Sequence, residues 1–452
     1  MAQPYQLTVA ETAQQIKDNQ LSPVELAQSL LERIDATDKE LQSWVTIDRE
    51  EVLTTAKQLE NEAKQGHSRG LLHGVPVGLK DIFYTSGMKT AAGSKVYADF
   101  VPDFDATTVS KIKEAGGIIL GKAVTTEFAT SDPSPTYNPW NLEHTPGGSS
   151  SGSSVAVSSK TVGAALGSQT GGSTCRPAAY NGIVGLKATY GRISRYGVVP
   201  VSWSLDHVGI LVRTVDDAAL MLQVLSGEDA NDPGSASEPV PDFRKQMAEY
   251  NRSPRIGIPV QYYQDKSTPE VWAHTQAIVK QLADAGAEVV ELGLPASFGS
   301  CHSAQRIVMN VECAAFHEQF HANQAEDYGP RVRAGMEMGM LVPATKYLQA
   351  MRMRRQFRRD MVQMVDQVDV VLTPTTPAPA PADRNTTGDA SYQVPWTSSG
   401  LPTVTIPSGL SEKGLPLAVQ LGGLPFEEGK LLGIAKWCES VLGVQLSPPN
   451  YS

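Results

Sequence analysis

Ala164-Ala165-Leu166-Gly167-Ser168-Gln169-Thr170-Gly171-Gly172-Ser173 is a short apolar run that breaks into a glycine turn with a serine at its tip. Its first five residues read as a buried strand, and Pro177 follows soon after the turn. Upstream, Gly117-Ile118-Ile119-Leu120-Gly121 reads as a second buried strand, preceded by a helical pattern from Asp105 to Ala115. Gly74-Val75-Pro76-Val77-Gly78-Leu79 is a third strand-like run, with Lys80 at its end. Downstream, Asp369-Val370-Val371-Leu372-Thr373-Pro374 and Val404-Thr405-Ile406 read as further strands. Helices and strands alternate, so the expected fold is α/β, with a central mixed β-sheet flanked by helices.

The N-terminal region supplies helices. Thr8 with Glu11, and Ser22-Pro23-Val24-Glu25, carry capping-box patterns, the second with proline in the first helical position. Val24, Ala27, Leu30, Leu31 and Ile34 then repeat at helical spacing, and a third helical pattern runs from Asp48 to Lys64. The middle of the chain, residues 229–340, reads as helix-rich. No linker, charge block or internal repeat marks a boundary, so residues 1–452 are expected to form one large domain.

Composition narrows the function. The 452 residues are 41% hydrophobic and 19% charged, with a formal net charge of -10. That charge opposes nucleic-acid phosphates and anionic membrane surfaces, and favours small neutral substrates. The one basic cluster, Met351-Arg352-Met353-Arg354-Arg355-Gln356-Phe357-Arg358-Arg359, alternates with apolar residues as a helix with one solvated face does. The N-terminus lacks the basic start and apolar run of a secretory signal, and no stretch of about 18 apolar residues could span a bilayer. A cytoplasmic location is expected. Cys175, Cys301, Cys313 and Cys438 are scattered without a CxxC, as suits reduced thiols.

Two glycine-serine clusters carry the chemistry. Gly147-Gly148-Ser149-Ser150-Ser151-Gly152-Ser153-Ser154, taken alone, reads as a flexible loop. The Thr170–Ser173 turn is more specific, because small glycines after a strand let consecutive backbone N–H groups converge on one point, as an oxyanion hole requires. These clusters, with Gly74 to Asp81 and Gly182-Ile183-Val184-Gly185-Leu186-Lys187-Ala188-Thr189-Tyr190-Gly191-Arg192, closely resemble the amidase signature family. Val371-Leu372-Thr373-Pro374-Thr375 and Gly400-Leu401-Pro402-Thr403-Val404 extend the resemblance over nearly the whole chain. Its signature core spans about residues 74–210, and residues 229–340 are its variable part.

The resemblance implies that Ser173 is the nucleophile, Ser149 a bridging serine that follows a cis peptide at Gly148, and Lys80 the terminal base. It implies an oxyanion hole from the backbone N–H groups of Thr170, Gly171, Gly172 and Ser173. A serine hydroxyl must lose its proton as it attacks, and a lysine can accept that proton only when neutral, which burial promotes. Two positions depart from the commonest family pattern: Gln169 stands where an acid precedes the turn, and Cys175 where an arginine follows it, with Arg176 one residue later. Cys175 reads as a small packed residue.

The expected function is therefore hydrolysis of amide C–N bonds through an acyl-enzyme on Ser173, with esters and carbamates as plausible further substrates. No metal or organic cofactor is expected, and the protein would work as a monomer or homodimer on a small amide-like molecule. Trp203, Met309, Trp396 and Thr397 are nominated as pocket residues. A second reading is the glutaminase-like subunit of a tRNA-dependent amidotransferase, which carries the same signature. A third, remote one is a zinc peptidase, because His317-Glu318-Gln319-Phe320-His321 matches HExxH, although no obvious third ligand follows. The Walker-like Gly116 to Ala123 lacks the magnesium-binding hydroxyl, and Ser150 within a formal GxSxG lacks a preceding strand.

Overall fold

The computed structural model describes residues 3–451. Among them eleven strands form one mixed sheet: β1 (Trp44–Thr46), β2 (Pro76–Lys80), β3 (Ile118–Ala123), β4 (Ala164–Gln169), β5 (Val184–Lys187), β6 (His207–Val212), β7 (Arg255–Ile258), β8 (Glu288–Glu291), β9 (Val370–Pro374), β10 (Thr403–Leu410) and β11 (Pro416–Gly422). Their spatial order is β1-β3-β2-β4-β6-β5-β10-β11-β9-β7-β8. β2 runs parallel to β3 and β4, and β7 parallel to β8 and β9, while β4 to β6, β6 to β5 and β5 through β10 and β11 to β9 are antiparallel.

Alternation along the central strands explains why both faces are covered. Ala164 and Leu166 of β4, with Ile210 and Val212 of β6, point into one apolar cluster. The residues between them, Ala165 and Leu211, point into another, as a period of two requires. The second cluster is closed by the N-terminal helices Pro23–Leu41 and Arg49–Lys64, through Leu26, Leu30, Ile34, Val52 and Leu59. Each such fully buried side chain stabilises the fold by about 1.5–3 kcal/mol before entropy is counted.

The capping patterns act as local physics predicts, with one exception. Thr8 and Glu11 close a reciprocal capping box at helix Val9–Lys17. Ser22 accepts from the N–H groups of Val24 and Glu25, but its hydroxyl donates to Glu60 of the neighbouring helix instead of being boxed by Glu25. The helix-rich middle also contributes β7 and β8 at one edge of the sheet. Four-residue strands are too short for their periodicity to stand out from helical surroundings.

The turn after β4 folds back across the sheet. Thr174 sits directly over Gly209 of β6, where a Cβ would collide with its side chain. No helix of the described residues is long and apolar enough to cross a membrane.

Candidate active site

The parallel pair β2 and β4 brings the site together. Val77 pairs with Ala164 and Leu79 with Leu166, so Lys80 ends β2 beside the point where β4 runs into its glycine turn. Lys80 is completely buried. Its Nζ donates to Ser149 Oγ at 2.6 Å and to Ser168 Oγ at 2.8 Å. Burial holds the Lys80 ammonium well below the usual lysine range; the Asp206 carboxylate opposes this, and the Arg176 guanidinium adds to it.

Ser149 follows a cis peptide bond at Gly148. The Gly148 carbonyl accepts from Arg176, whose guanidinium also donates to the Gly388 carbonyl and to Thr387 Oγ1. The arginine one residue beyond its usual family position thus clamps the peptide that carries Ser149. Ser150, the serine of the formal GxSxG, is fixed to the backbone of Ser168 through both its donor and its acceptor capacity.

The turn at residues 170–173 is pinned through its carbonyls. Gln305 Nε2 donates to the Thr170 carbonyl at 2.6 Å, Thr397 Oγ1 to that of Gly171 at 2.8 Å, and the Arg176 N–H to that of Gly172 at 3.0 Å. The N–H groups of Gly171, Gly172 and Ser173 meet no acceptor among the described residues. Fixed peptides with free donors beside a serine are what a developing oxyanion requires.

Gln169 explains its own substitution. Its Oε1 accepts from the N–H groups of Thr174 and Cys175, and its Nε2 donates to Thr397 Oγ1 at 3.1 Å. A carboxylate could accept the same two bonds but not donate the third. Cys175 is buried against Thr403, and burial pushes its thiol pKa up, which removes thiolate character.

Ser173, 9% exposed, opens onto a cavity of about 260 Å³ that also touches Thr170, Gly171, Gly172 and Arg176. Met309 lines this cavity. The other nominated pocket residues do not. Trp396 is 1% exposed and packs in a core cluster with Val371 and Leu401, its ring lying over Gly422. Thr397 is buried beneath the turn that it holds. Trp203 is half-exposed and lines a second cavity of about 240 Å³ that shares Thr170 with the first.

Ser168, Asp206, Gln305 and Glu312 belong to the site's support, and sequence reasoning did not single them out. Ser168 lay in plain view near the end of β4, and its Oγ accepts from Lys80 Nζ. Asp206 accepts from Thr170 Oγ1 and from the N–H groups of Val201 and Ser202, and burial pushes its pKa up to about 6. Glu312 gathers Ser202, Ser204 and Tyr347. These last contacts join distant segments and leave no local signal.

The HExxH histidines take separate polar partners. His317 Nδ1 contacts Tyr328 Oη, and His321 Nε2 contacts Glu337 Oε1. The described residues contain no group of three His, Cys, Asp or Glu side chains arranged to hold a metal.

A family model described as Amidase matches residues 25–432. The chain belongs to the amidase family. It is similar to a glutamyl-tRNA(Gln) amidotransferase subunit of Geobacter metallireducens, at 36% identity over 95% of this chain and 96% of that protein. Among solved structures, a peptide amidase in complex with the competitive inhibitor chymostatin aligns at 30% identity and a TM-score of 0.87, covering 98% of this chain and 99% of that one. A structure of a vestigial protein complex, connected with the origins of an s-triazine catabolic enzyme, aligns at 28% identity and a TM-score of 0.90 over 97% and 99%. This member of the amidase family is an enzyme acting on amide C–N bonds.

Proposed function

We propose that the protein hydrolyses small amides through an acyl-enzyme on Ser173, with Ser149 and Lys80 as its proton relay. The observation that carries this reading is a completely buried lysine hydrogen-bonded to Ser149, beside a glycine turn whose free N–H groups flank Ser173.

In this mechanism Ser173 Oγ attacks the amide carbonyl while its proton passes to Ser149, whose own proton passes to neutral Lys80. The negative charge that forms on the carbonyl oxygen is held by the N–H groups of the turn. The C–N bond then breaks, and the proton returns through Ser149 to the departing nitrogen. Water cleaves the resulting ester by the same route in reverse and frees Ser173. Aryl or alkyl esters and carbamates present the same carbonyl and fit the same relay.

A second reading is a glutamine-hydrolysing component that works in a multi-subunit tRNA amidotransferase. It is favoured by the 36% identity to the Geobacter metallireducens amidotransferase protein over almost the full length of both chains.

One assay separates these readings. The isolated wild type and Ser173→Ala are given simple amides, esters, carbamates and free glutamine, with and without a chelator. Chelator-resistant turnover of simple amides that disappears in Ser173→Ala supports the amidase. Turnover of glutamine alone, strengthened by a partner protein, favours the second reading, and activity that survives Ser173→Ala refutes both.

A further inference from the structure

Two glycines interrupt the helix Pro330–Met340, at Gly335 and Gly339. Glycine inside a helix costs stability relative to alanine, so each needs a reason. Gly339 has one in packing: a Cβ there would collide with the carbonyl of Asn310 on the helix Phe298–Gln324. Gly335, about one turn earlier, has none, because a Cβ built on it meets no atom within 4 Å. The open space is the cavity beside Ser173, which Gly335 lines.

Helical spacing makes this wall coherent. Arg331, Val332 and Gly335 share one face of their helix, and Met309, Asn310 and Cys313 share one face of its neighbour. Both faces border the cavity. Its volume of about 260 Å³ is at the small end for a ligand site, where a single side chain decides what fits. The side chains bordering it include Arg176 and Arg331, whose guanidiniums donate to backbone carbonyls, but no carboxylate, so a cationic substituent finds no ion-pair partner there.

We propose that Gly335 is a specificity-determining residue: its missing side chain makes room for a bulky, uncharged apolar substituent on the amide, of the size of an aromatic ring. The inference rests on the reading of Ser173 as nucleophile. Helix propensity alone would place alanine at 335, and packing permits it; the glycine keeps the space open.

The test compares wild type, Gly335→Ala, Gly335→Leu and Ser173→Ala on acetamide and propionamide against benzamide and phenylacetamide. Labelling of Ser173 by methyl and aryl fluorophosphonates, read by intact mass, runs in parallel. Gly335→Leu is expected to lose kcat/KM and labelling rate by about 10-fold or more for the aryl members. It should stay within about 2-fold of wild type for the small members, and Gly335→Ala should melt no lower than wild type. Equal losses for small and aryl members, or no loss for either, would overturn the proposal. A wild type that no member labels would instead count against the underlying reading of Ser173. Turnover that persists in Ser173→Ala would overturn that reading, so the two failures are distinct.

Discussion

Replacing Lys80 by methionine separates the chemistry from the folding. Methionine keeps an unbranched chain of similar length in a completely buried site, so no large cavity opens. Two hydrogen bonds are lost, to Ser149 and Ser168, each worth about 1 kcal/mol net. Against that loss, the variant no longer buries an amine whose pKa is held well below the lysine range by desolvation. In the unfolded chain Lys80 titrates at about 10.4, so at neutral pH the unfolded state binds its proton more tightly than the folded state does. Wild-type stability therefore falls as pH drops below that value, by about 1.4 kcal/mol for each unit separating the two pKa values, until the folded group also protonates. Lost bonds and relieved penalty oppose each other, so near neutrality the variant should lose less stability than the about 2 kcal/mol that the two bonds alone would cost. The wild type should gain on it as pH rises. Catalysis has no such offset. A positioned general base contributes about 10²–10⁴-fold, or about 3–5 kcal/mol of barrier. The assay is kcat/KM on an activated amide together with urea unfolding at about pH 7 and about pH 9.5. Retention of more than about a tenth of wild-type activity would refute the relay. An unchanged dependence of stability on pH would refute the buried, destabilised amine.

Other perturbations follow from the same geometry. Arg176→Met leaves the Gly148 and Gly388 carbonyls without their donor and should lower stability by roughly 3 kcal/mol. Because Arg176 is a cation that lowers the Lys80 pKa, the variant's rise of kcat/KM with pH should move to higher pH. Gln169→Leu strips partners from the N–H groups of Thr174 and Cys175 and from Thr397, at about 1 kcal/mol per bond, and kinetics should show a fall in kcat as the turn loosens. His317 is buried and burial lowers its pKa to about 4, so wild-type stability is complete above about pH 6.5 and declines as pH falls toward about 4, by roughly 3 kcal/mol. Urea titrations of His317→Leu should show a shallower decline over that window.

What could be read from the sequence was what physics makes local. The strand-then-turn pattern at Ala164–Ser173 and the apolar run ending at Lys80 each needed only neighbouring residues, and both elements formed as expected. The family resemblance then joined positions far apart in sequence, and the chain carries Lys80 hydrogen-bonded to Ser149 after a cis peptide at Gly148. Trp396 and Thr397 were misassigned for a physical reason: large or polar residues near a signature motif can equally serve the core or the scaffold, and only packing decides. Trp396 went to the core, and Thr397 became the donor that holds Gly171. Asp206 and Glu312 acquire their roles from loop segments that meet in three dimensions, which no periodicity encodes. The open space at Gly335 was invisible for the same reason, since it is defined by what the neighbouring helix does not fill.

A covalent acyl group on Ser173 is the central requirement of the mechanism. Incubation of the wild type with a slowly turned-over aryl carbamate or aryl ester, followed by acid quench and peptide mass mapping, tests it most directly. The predicted result is one stoichiometric adduct on the peptide that carries Ser173, absent from Ser173→Ala and formed far more slowly by Lys80→Met. An adduct on Ser149 or Cys175, or turnover without any adduct in a variant that lacks Ser173, would contradict it.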